Sequence, residues 1–540
     1  MNIADRLAES AARFPDKPAV IWPRRRRLRA ADHESISFRA VNELVDASAA
    51  ALSNAGIRRS MLTLVMIRPG RDFFAVTFAL FRIGAVPVLI DPGMGRAGMA
   101  RCIAQVGAQA LVGIPLAQLF RLTHPRAFRT VRTSVTVDRR WAESLPRAPS
   151  RAADTSADDA AAILFTSGST GPAKGVMYTH GVFEAQVRCL ESHFGYAPDE
   201  TDLATFPLFA LFDVALGMTA VIPDMDASRP GRADPRKLAA TIARFGCTHM
   251  FGSPALLGRL ADHCSRAGIR LSGLKRILTA GAPIRPELLA RVRAVVPDSC
   301  RIHTPYGATE ALPVSDITDA EILSNTAHET RCGAGNCVGR PLAGLDVRVI
   351  EIGDRPIARW CDTRACGAGE IGEIVVKGPI ATRTYHRLPD ATAAAKINDP
   401  RDGGVWHRMG DVGYFDSAGR LWYCGRKSQR VTTAGGALFT EPCEAIFNQH
   451  AAVERTALVG VGPAGGQRPV LCVELKPAEK RRPRGGRKDD VRAELLEIAA
   501  AHESTRGITT VLFARRFPVD VRHNAKIVRE KLAAWAAKHM

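Results

Sequence analysis

The run AAILFTSGSTGPAKGV, residues 161–176, decides how this chain is read. Its first five residues are an apolar, strand-like run that ends at a cluster of turn-forming residues. That run leads into Thr166, Ser167, Gly168, Ser169, Thr170 and Gly171, followed by Pro172, Ala173 and Lys174. Glycines let backbone N–H groups converge, hydroxyls add donors, and Lys174 adds a mobile positive charge. A loop of this make is suited to wrap a polyphosphate. It is not the GxxxxGK[ST] pattern, because Gly175 follows the lysine. A flexible Gly/Ser linker is the plainer alternative, which the strand before the loop and the lysine after it disfavour.

Around this loop, strand-like runs alternate with helical patterns from about residue 35 to 430. LTLVMI at 62–67, FFAVTFALFRIGA at 73–85, VPVLI at 86–90 and AQALVGI at 108–114 are examples. Such alternation predicts parallel sheets covered by helices. Between Leu345 and Lys377 the pattern changes to period two, in LDVRVIEI and GEIVVKG, which predicts a more antiparallel β piece. Beyond about Arg426 the chain restarts as strands and helices of a small α+β unit, ending in VREKLAAWAAKH with Val528, Leu532 and Trp535 on one helix face. The fold class expected is α/β, with parallel-rich βα layers and a β-rich subdomain in a large N-terminal part, and a small mobile α+β part at the end.

Composition bounds the function. The 540 residues are 46% hydrophobic, which excludes a disordered chain. The most apolar stretch, Phe73 to Ile90, is broken by Arg82 and Pro87, so no membrane span is expected. The opening MNIADRLAESAARF carries Asp5 and Glu9, has no apolar signal-like core, and reads as an amphipathic helix with Ile3, Leu7 and Ala11 on one face. Twelve scattered cysteines without a CxxC suggest reduced thiols and a cytoplasmic protein. Cys332 with Cys337 and Cys361 with Cys366 form two C-x4-C pairs that a structural zinc could use, although free thiols are the plainer reading. The formal charge of +20 points to an anionic partner: nucleic acid, a membrane surface, an acidic protein or a phosphorylated substrate. The basic runs RRRRLR at 24–29 and KRRPRGGRK at 480–488 lack interleaved aromatics and read as solvated loops.

Further motifs follow the loop in order. They are LTAGAPI at 278–284, HTPYGATE at 303–310, RMGD at 408–411, YCGRKSQRVTTAGG at 423–436 and VRHNAKIVREKL at 521–532. Unaided, Tyr306 offers a ring face for a base, and Thr309 offers a hydroxyl to a phosphate. Glu310 offers a carboxylate where Mg²⁺ would bridge phosphates. Asp411 can accept both hydroxyls of a ribose, and Arg426 can reach a phosphate or ribose oxygen.

Together these runs resemble the adenylate-forming superfamily of acyl-CoA synthetases, nonribosomal adenylation domains and luciferases, over nearly the whole chain. The resemblance implies ATP and Mg²⁺ as cofactors and attack of a carboxylate on the α-phosphorus of ATP. It places ATP on the loop 166–171 and Lys174, on Gly281, Ala282 and Pro283, and on Tyr306, Gly307, Asp411 and Arg426. It makes Lys526, Thr309 and Glu310 catalytic, with Glu310 also the metal ligand. It implies an N-terminal unit over 1–425, a hinge at 426–428 and a mobile C-terminal unit over 429–540 that carries Lys526. Ser428 stands at the hinge position, where many relatives have Asp or Lys.

Three departures bear on the second half-reaction. Ala210 stands in Pro207-Leu208-Phe209-Ala210 where a His is usual, Ala437 stands where some CoA users carry Arg, and Asn524-Ala525-Lys526 replaces a Gly-Lys pattern. With FPLFALFD and the CGRKSQRV segment, this resembles the β-lactone synthetases of bacterial long-chain olefin biosynthesis. The implied substrate is a long-chain 2-alkyl-3-hydroxy acid, whose own hydroxyl displaces AMP without CoA. Phe206, Phe209, Ala210 and Phe212, with Leu211, Leu216 and Met218, are the expected acyl pocket. The resemblance further implies an assembly with a condensing enzyme, a reductase and a β-lactone decarboxylase. Peripheral membrane contact is an expectation from charge, and nucleic acid is not an expected partner. A long-chain acyl-CoA ligase or acyl-AMP ligase is the second reading. A catalytically inactive basic scaffold that binds nucleic acid is the third.

Overall fold

The computed structural model describes residues 1–24, 33–145, 149–165, 173–480, 487–519 and 527–540. The loop residues 166–171, Lys526 and most of both basic runs lie outside these.

The strand expected before the loop is Ala160–Phe165, inside a six-stranded sheet. Its neighbours run in the order Thr133–Thr136, Ala110–Gly113, Leu62–Met66, Val86–Ile90, Ala160–Phe165 and Gly175–Thr179. All pairings are parallel except the last, which folds the chain back antiparallel after the loop, with Phe165 opposite Gly175. A second sheet of seven strands runs from Arg301–His303 through Arg276–Leu278, His249–Phe251, Thr201–Leu203, Thr219–Val221 and Pro18–Pro23 to His33–Ser37. It is parallel until its final, antiparallel pair.

The largest apolar cluster draws on both sheets and on the helices Ala4–Arg13, Phe38–Asn54 and Arg71–Arg82. In Arg71–Arg82 every residue from Phe73 onward is buried, which explains why its sequence is apolar on all faces. Arg82 is tolerated there because its guanidinium meets Asp46 and Asn42. The run Phe73 to Ile90 is thus a core helix followed by the strand Val86–Ile90. Among the described residues no helix is long and apolar enough to cross a membrane.

The period-two segment forms part of an antiparallel sheet of eight strands, in which Asp346–Ile350 pairs Gly372–Lys377 and Gly372–Lys377 pairs Gly404–Phe415. The same sheet holds Leu421–Arg426 and, at its far side, Asn336–Pro341, Ala311–Asp316 and Tyr306–Ala308. After Arg426 come a two-stranded ribbon, a three-stranded sheet (Val453–Val461, Arg468–Leu475, Thr510–Phe513) and the helices Thr440–Phe447, Arg487–Ala501 and Arg529–Ala537. Two apolar clusters draw all their members from residues 431–536, so this stretch has a core of its own.

Candidate functional site

A cavity of about 1380 Å³ gathers most of the residues singled out by sequence. Its wall includes Lys174, Gly281, Ala282, Pro283, Tyr306, Gly307, Thr309, Glu310, Asp411 and Arg426, together with Phe206, Phe209 and Phe212. Residues of the C-terminal stretch, among them Glu444, Arg516 and Arg529, complete it. The loop 166–171 and Lys526 are not among the described residues.

The hairpin Tyr306–Ala308 to Ala311–Asp316 presents Tyr306, Thr309 and Glu310. A side chain at 307 would put its Cβ 2.6 Å from the Ala311 carbonyl oxygen, so only glycine lets the two strands close. Gly281 has φ +91°, a conformation that suits glycine in the turn after Arg276–Leu278.

Asp411 and Arg426 are register partners on adjacent antiparallel strands. The Asp411 carboxylate is almost fully buried. It accepts the Tyr306 hydroxyl at 2.7 Å and pairs with Arg426 Nη1 at 2.9 Å. The Asp411 charge holds the Arg426 guanidinium firmly protonated, and burial pushes the Tyr306 phenol well above its ordinary range. One oxyanion therefore orders a phenol ring and a cation around the same corner of the cavity.

A second cluster surrounds Glu310. Tyr385 donates its hydroxyl to Glu310 Oε1 at 2.7 Å. Lys174 Nζ lies 4.8 Å from the centroid of the Tyr385 ring, within cation–π reach. Thr382 donates its N–H and its hydroxyl to the Glu310 carbonyl at 2.8 and 3.0 Å. Buried Lys396 donates to the Thr382 carbonyl, and burial draws its ammonium down to about 7. The Tyr178 hydroxyl donates to the Thr309 carbonyl at 2.5 Å. The Glu310 carboxylate lines the cavity close to Lys174, a hard oxygen donor beside a phosphate-seeking cation. That chemistry fits Mg²⁺ in company with a polyphosphate.

The segment after Arg426 is pinned by charge. Lys427 Nζ lies 3.0 Å from Glu373, whose carboxylate also takes buried Arg408 at 2.5 Å. Arg430 pairs with Asp354 at 2.7 Å. Ser428 and Gln429 face the cavity, and Arg529 donates to Gln429 Oε1 at 3.2 Å while pairing with buried Glu444 at 2.5 Å.

The apolar part of the wall is aromatic. Phe206 and Phe209 meet edge to face with centroids 4.6 Å apart, Phe209 meets Phe251 at 5.0 Å, and Phe212 meets Phe183 at 6.0 Å. Leu211 also faces the cavity. Ala210 does not: it opens the short helix Ala210–Ala215, is fully buried, and packs in the main core. Leu216 and Met218 are core residues as well. On so short a helix the sequence does not show which side meets the cavity, and here it is the side of Leu211 and Phe212.

The four cysteines of the two C-x4-C pairs do not come together. Among the described residues, the group of three or more potential ligands that converges is His193, His303 and Asp316. Cys332 and Cys361 are exposed free thiols, whereas Cys337 is buried. Sequence reasoning missed Tyr385, Tyr178, Thr382 and Lys396, none of which sits in a recognisable spacing.

Comparison with known proteins gives the family and the fold. The family model described as AMP-binding enzyme matches residues 7–386. The olefin beta-lactone synthetase of Stenotrophomonas maltophilia is 48% identical over 100% of this chain and 98% of its own length. That of Xanthomonas campestris is 48% identical over 99% and 98%. Among solved structures, ATP-bound MatB from Rhodopseudomonas palustris shares the fold, with a TM-score of 0.79 at 20% identity over 100% of both chains. The amide bond synthetase McbA from Marinactinospora thermotolerans does so at 0.76 and 23%, over 99% of both. With its fold, its motif residues lining one cavity and a full-length relative at 48% identity, the chain belongs to the AMP-binding enzyme family, as an AMP-forming, adenylating ligase of the olefin beta-lactone synthetase group.

Proposed function

We propose that this enzyme adenylates a long-chain 2-alkyl-3-hydroxy acid and closes it to a β-lactone, with the site residues in the roles their motifs imply. The observation that carries the reading is one cavity shared by Lys174, Glu310, Asp411 and Arg426 on one part of its wall and Phe206, Phe209 and Phe212 on another. A charged nucleotide and a hydrocarbon chain need such a composite wall. In the first step a carboxylate oxygen attacks the α-phosphorus and pyrophosphate leaves. Asp411 holds the ribose hydroxyls, Tyr306 gives its ring to the adenine, and the loop 166–171 with Lys174 and Thr309 steadies the phosphates. Mg²⁺, when bound, neutralises phosphate charge, and Glu310 would hold it. Lys526 brings a positive charge to the developing transition state. In the second step the 3-hydroxyl oxygen attacks the acyl carbon, its proton is lost, and AMP leaves with the former carboxylate oxygen. The internal nucleophile supplies a high effective concentration.

Isotope tracing tests the order of bond making. With acid labelled by ¹⁸O in its carboxyl group, one label ends in AMP and one in the lactone carbonyl. Unlabelled AMP would show that the hydroxyl, not the carboxylate, is activated, and would overturn the reading.

The hinge reading, with 1–425 and 429–540 as the moving units, draws support from the separate core after 431 and from the charged pairs at 426–430. The expected peripheral contact has a candidate surface. The helix Pro115–Thr123 exposes Leu116, Leu119 and Leu122 at 61%, 55% and 69%, beside exposed Arg126, Arg129, Arg132, Arg139 and Arg140. Exposed apolar side chains followed closely in the chain by exposed arginines suit an anionic bilayer. Cosedimentation with phosphatidylglycerol vesicles, lost in Leu116→Ser/Leu119→Ser/Leu122→Ser, is the expected result, and equal sedimentation of this variant would remove this face from the contact.

A further inference from the structure

We infer that His193, His303 and Asp316 form a binding site for a divalent transition-metal ion of the Zn²⁺ kind, separate from Glu310. His193 Nε2 lies 3.1 Å and His303 Nδ1 2.6 Å from the same oxygen, Asp316 Oδ2. One ligand atom from each residue falls within 4.8 Å of the other two. Bonds of about 2.0–2.2 Å to a tetrahedral Zn²⁺ place its ligand atoms about 3.3–3.6 Å apart, so small rotations of the three side chains complete the set.

A hydrogen-bonded His–Asp–His triad is the competing account. It explains Oδ2 and leaves the other oxygen unanswered. The Asp316 side chain is only 4% exposed, and its buried Oδ1 has no hydrogen-bond partner among the described residues. A buried carboxylate oxygen without a partner costs free energy, which a rotation of the carboxylate that presents Oδ1 to an ion between the imidazoles would recover. Two imidazole nitrogens with one carboxylate oxygen are a donor set that suits Zn²⁺. His193 is 39% exposed, which leaves the fourth coordination position facing water.

None of the three residues lines the nucleotide cavity, yet the site grips its most important hairpin. His303 ends the strand before Tyr306, and Asp316 ends the strand after Glu310. His193 caps the helix His180–Ser192, which gives Phe183 and Gln186 to the cavity wall. An ion there ties both ends of the 304–315 segment to that helix. Its role is to stiffen the segment that presents Tyr306, Thr309 and Glu310.

The test uses the full chain, stripped with a chelator and dialysed against Zn²⁺ without nucleotide, with bound metal measured by elemental analysis and by the visible absorption of a Co²⁺ replacement. The wild type binds one equivalent and gains thermal stability. His193→Ala, a change at an exposed position, loses both the Co²⁺ spectrum and the stability gain, and its affinity falls at least about tenfold. Cys332→Ser/Cys361→Ser leaves binding unchanged. Absence of binding to the wild type, or equal binding to His193→Ala, would overturn the site. So would loss of binding in the cysteine variant alone.

Discussion

Asp411 and Arg426 face each other across two strands, 2.9 Å apart, and Arg426 both ends its strand and opens the proposed hinge at 426–428. The carboxylate that is to hold the ribose is therefore wired to the residue from which the C-terminal part departs. A ribose bound at Asp411, as proposed, would compete for the same oxygens that fix Arg426 and Tyr306.

Asp411→Asn removes the charge and keeps the shape. A hydrogen bond to a charged group is worth about 1.5–3 kcal/mol, so KM for ATP should rise about 10- to 100-fold while the acid's KM changes little. Steady-state kinetics with pyrophosphate release decides this, and an unchanged KM for ATP would take Asp411 out of the ribose site.

Tyr385 holds Glu310 by one hydrogen bond, and the carboxylate is the proposed Mg²⁺ ligand. Glu310→Gln keeps an oxygen for that bond, so the fold should survive while Mg²⁺-dependent turnover collapses. Tyr385→Phe should raise the Mg²⁺ concentration for half-maximal rate by about tenfold, in line with loss of a group that orients a ligand. Mg²⁺ titrations of the adenylation rate check both, and wild-type behaviour of Glu310→Gln would remove it from the metal site.

Lys526→Ala should slow adenylation by about a hundred- to a thousandfold, the cost of removing one charge donor from a transition state. Its melting temperature should match the wild type. Near-normal acyl-AMP formation would refute the role.

His180 gives a pH dependence. It is 1% exposed, and its Nδ1 accepts the Ile3 N–H at 3.2 Å, which requires a neutral ring. Burial draws its pKa down to about 4. The unfolded ring, at about 6.5, binds its proton first as pH falls. Stability from this site is therefore complete above about pH 6.5 and declines by roughly 3 kcal/mol toward pH 4. Hydrogen exchange in the helix Ala4–Arg13 should accelerate over that window and do so less in His180→Gln. An identical pH profile in the variant would remove His180 as the cause.

The layers were legible because periodicity reports them. Strands of the parallel sheets, the period-two strands Asp346–Ile350 and Gly372–Lys377, and the final helix lie where the pattern of apolar residues placed them. Motif residues such as Tyr306 and Asp411 were legible one by one, though not their hydrogen bond, which spans 105 positions. Tyr385 was illegible for the same reason: it meets Glu310 across 75 residues, and no local spacing announces it. Ala210 was misplaced because facing the core and facing the cavity demand the same apolar character. His193, His303 and Asp316 meet only when a helix end and a hairpin converge, so neither their spacing nor their type drew notice.

The most direct test is product formation with and without CoA. The enzyme is incubated with ATP, Mg²⁺ and a racemic 2-alkyl-3-hydroxy long-chain acid, and products are resolved by mass spectrometry. The account predicts β-lactone and AMP in equal amounts without CoA, and no thioester when CoA is added. Thioester formed only in the presence of CoA, with no lactone in either reaction, would contradict it.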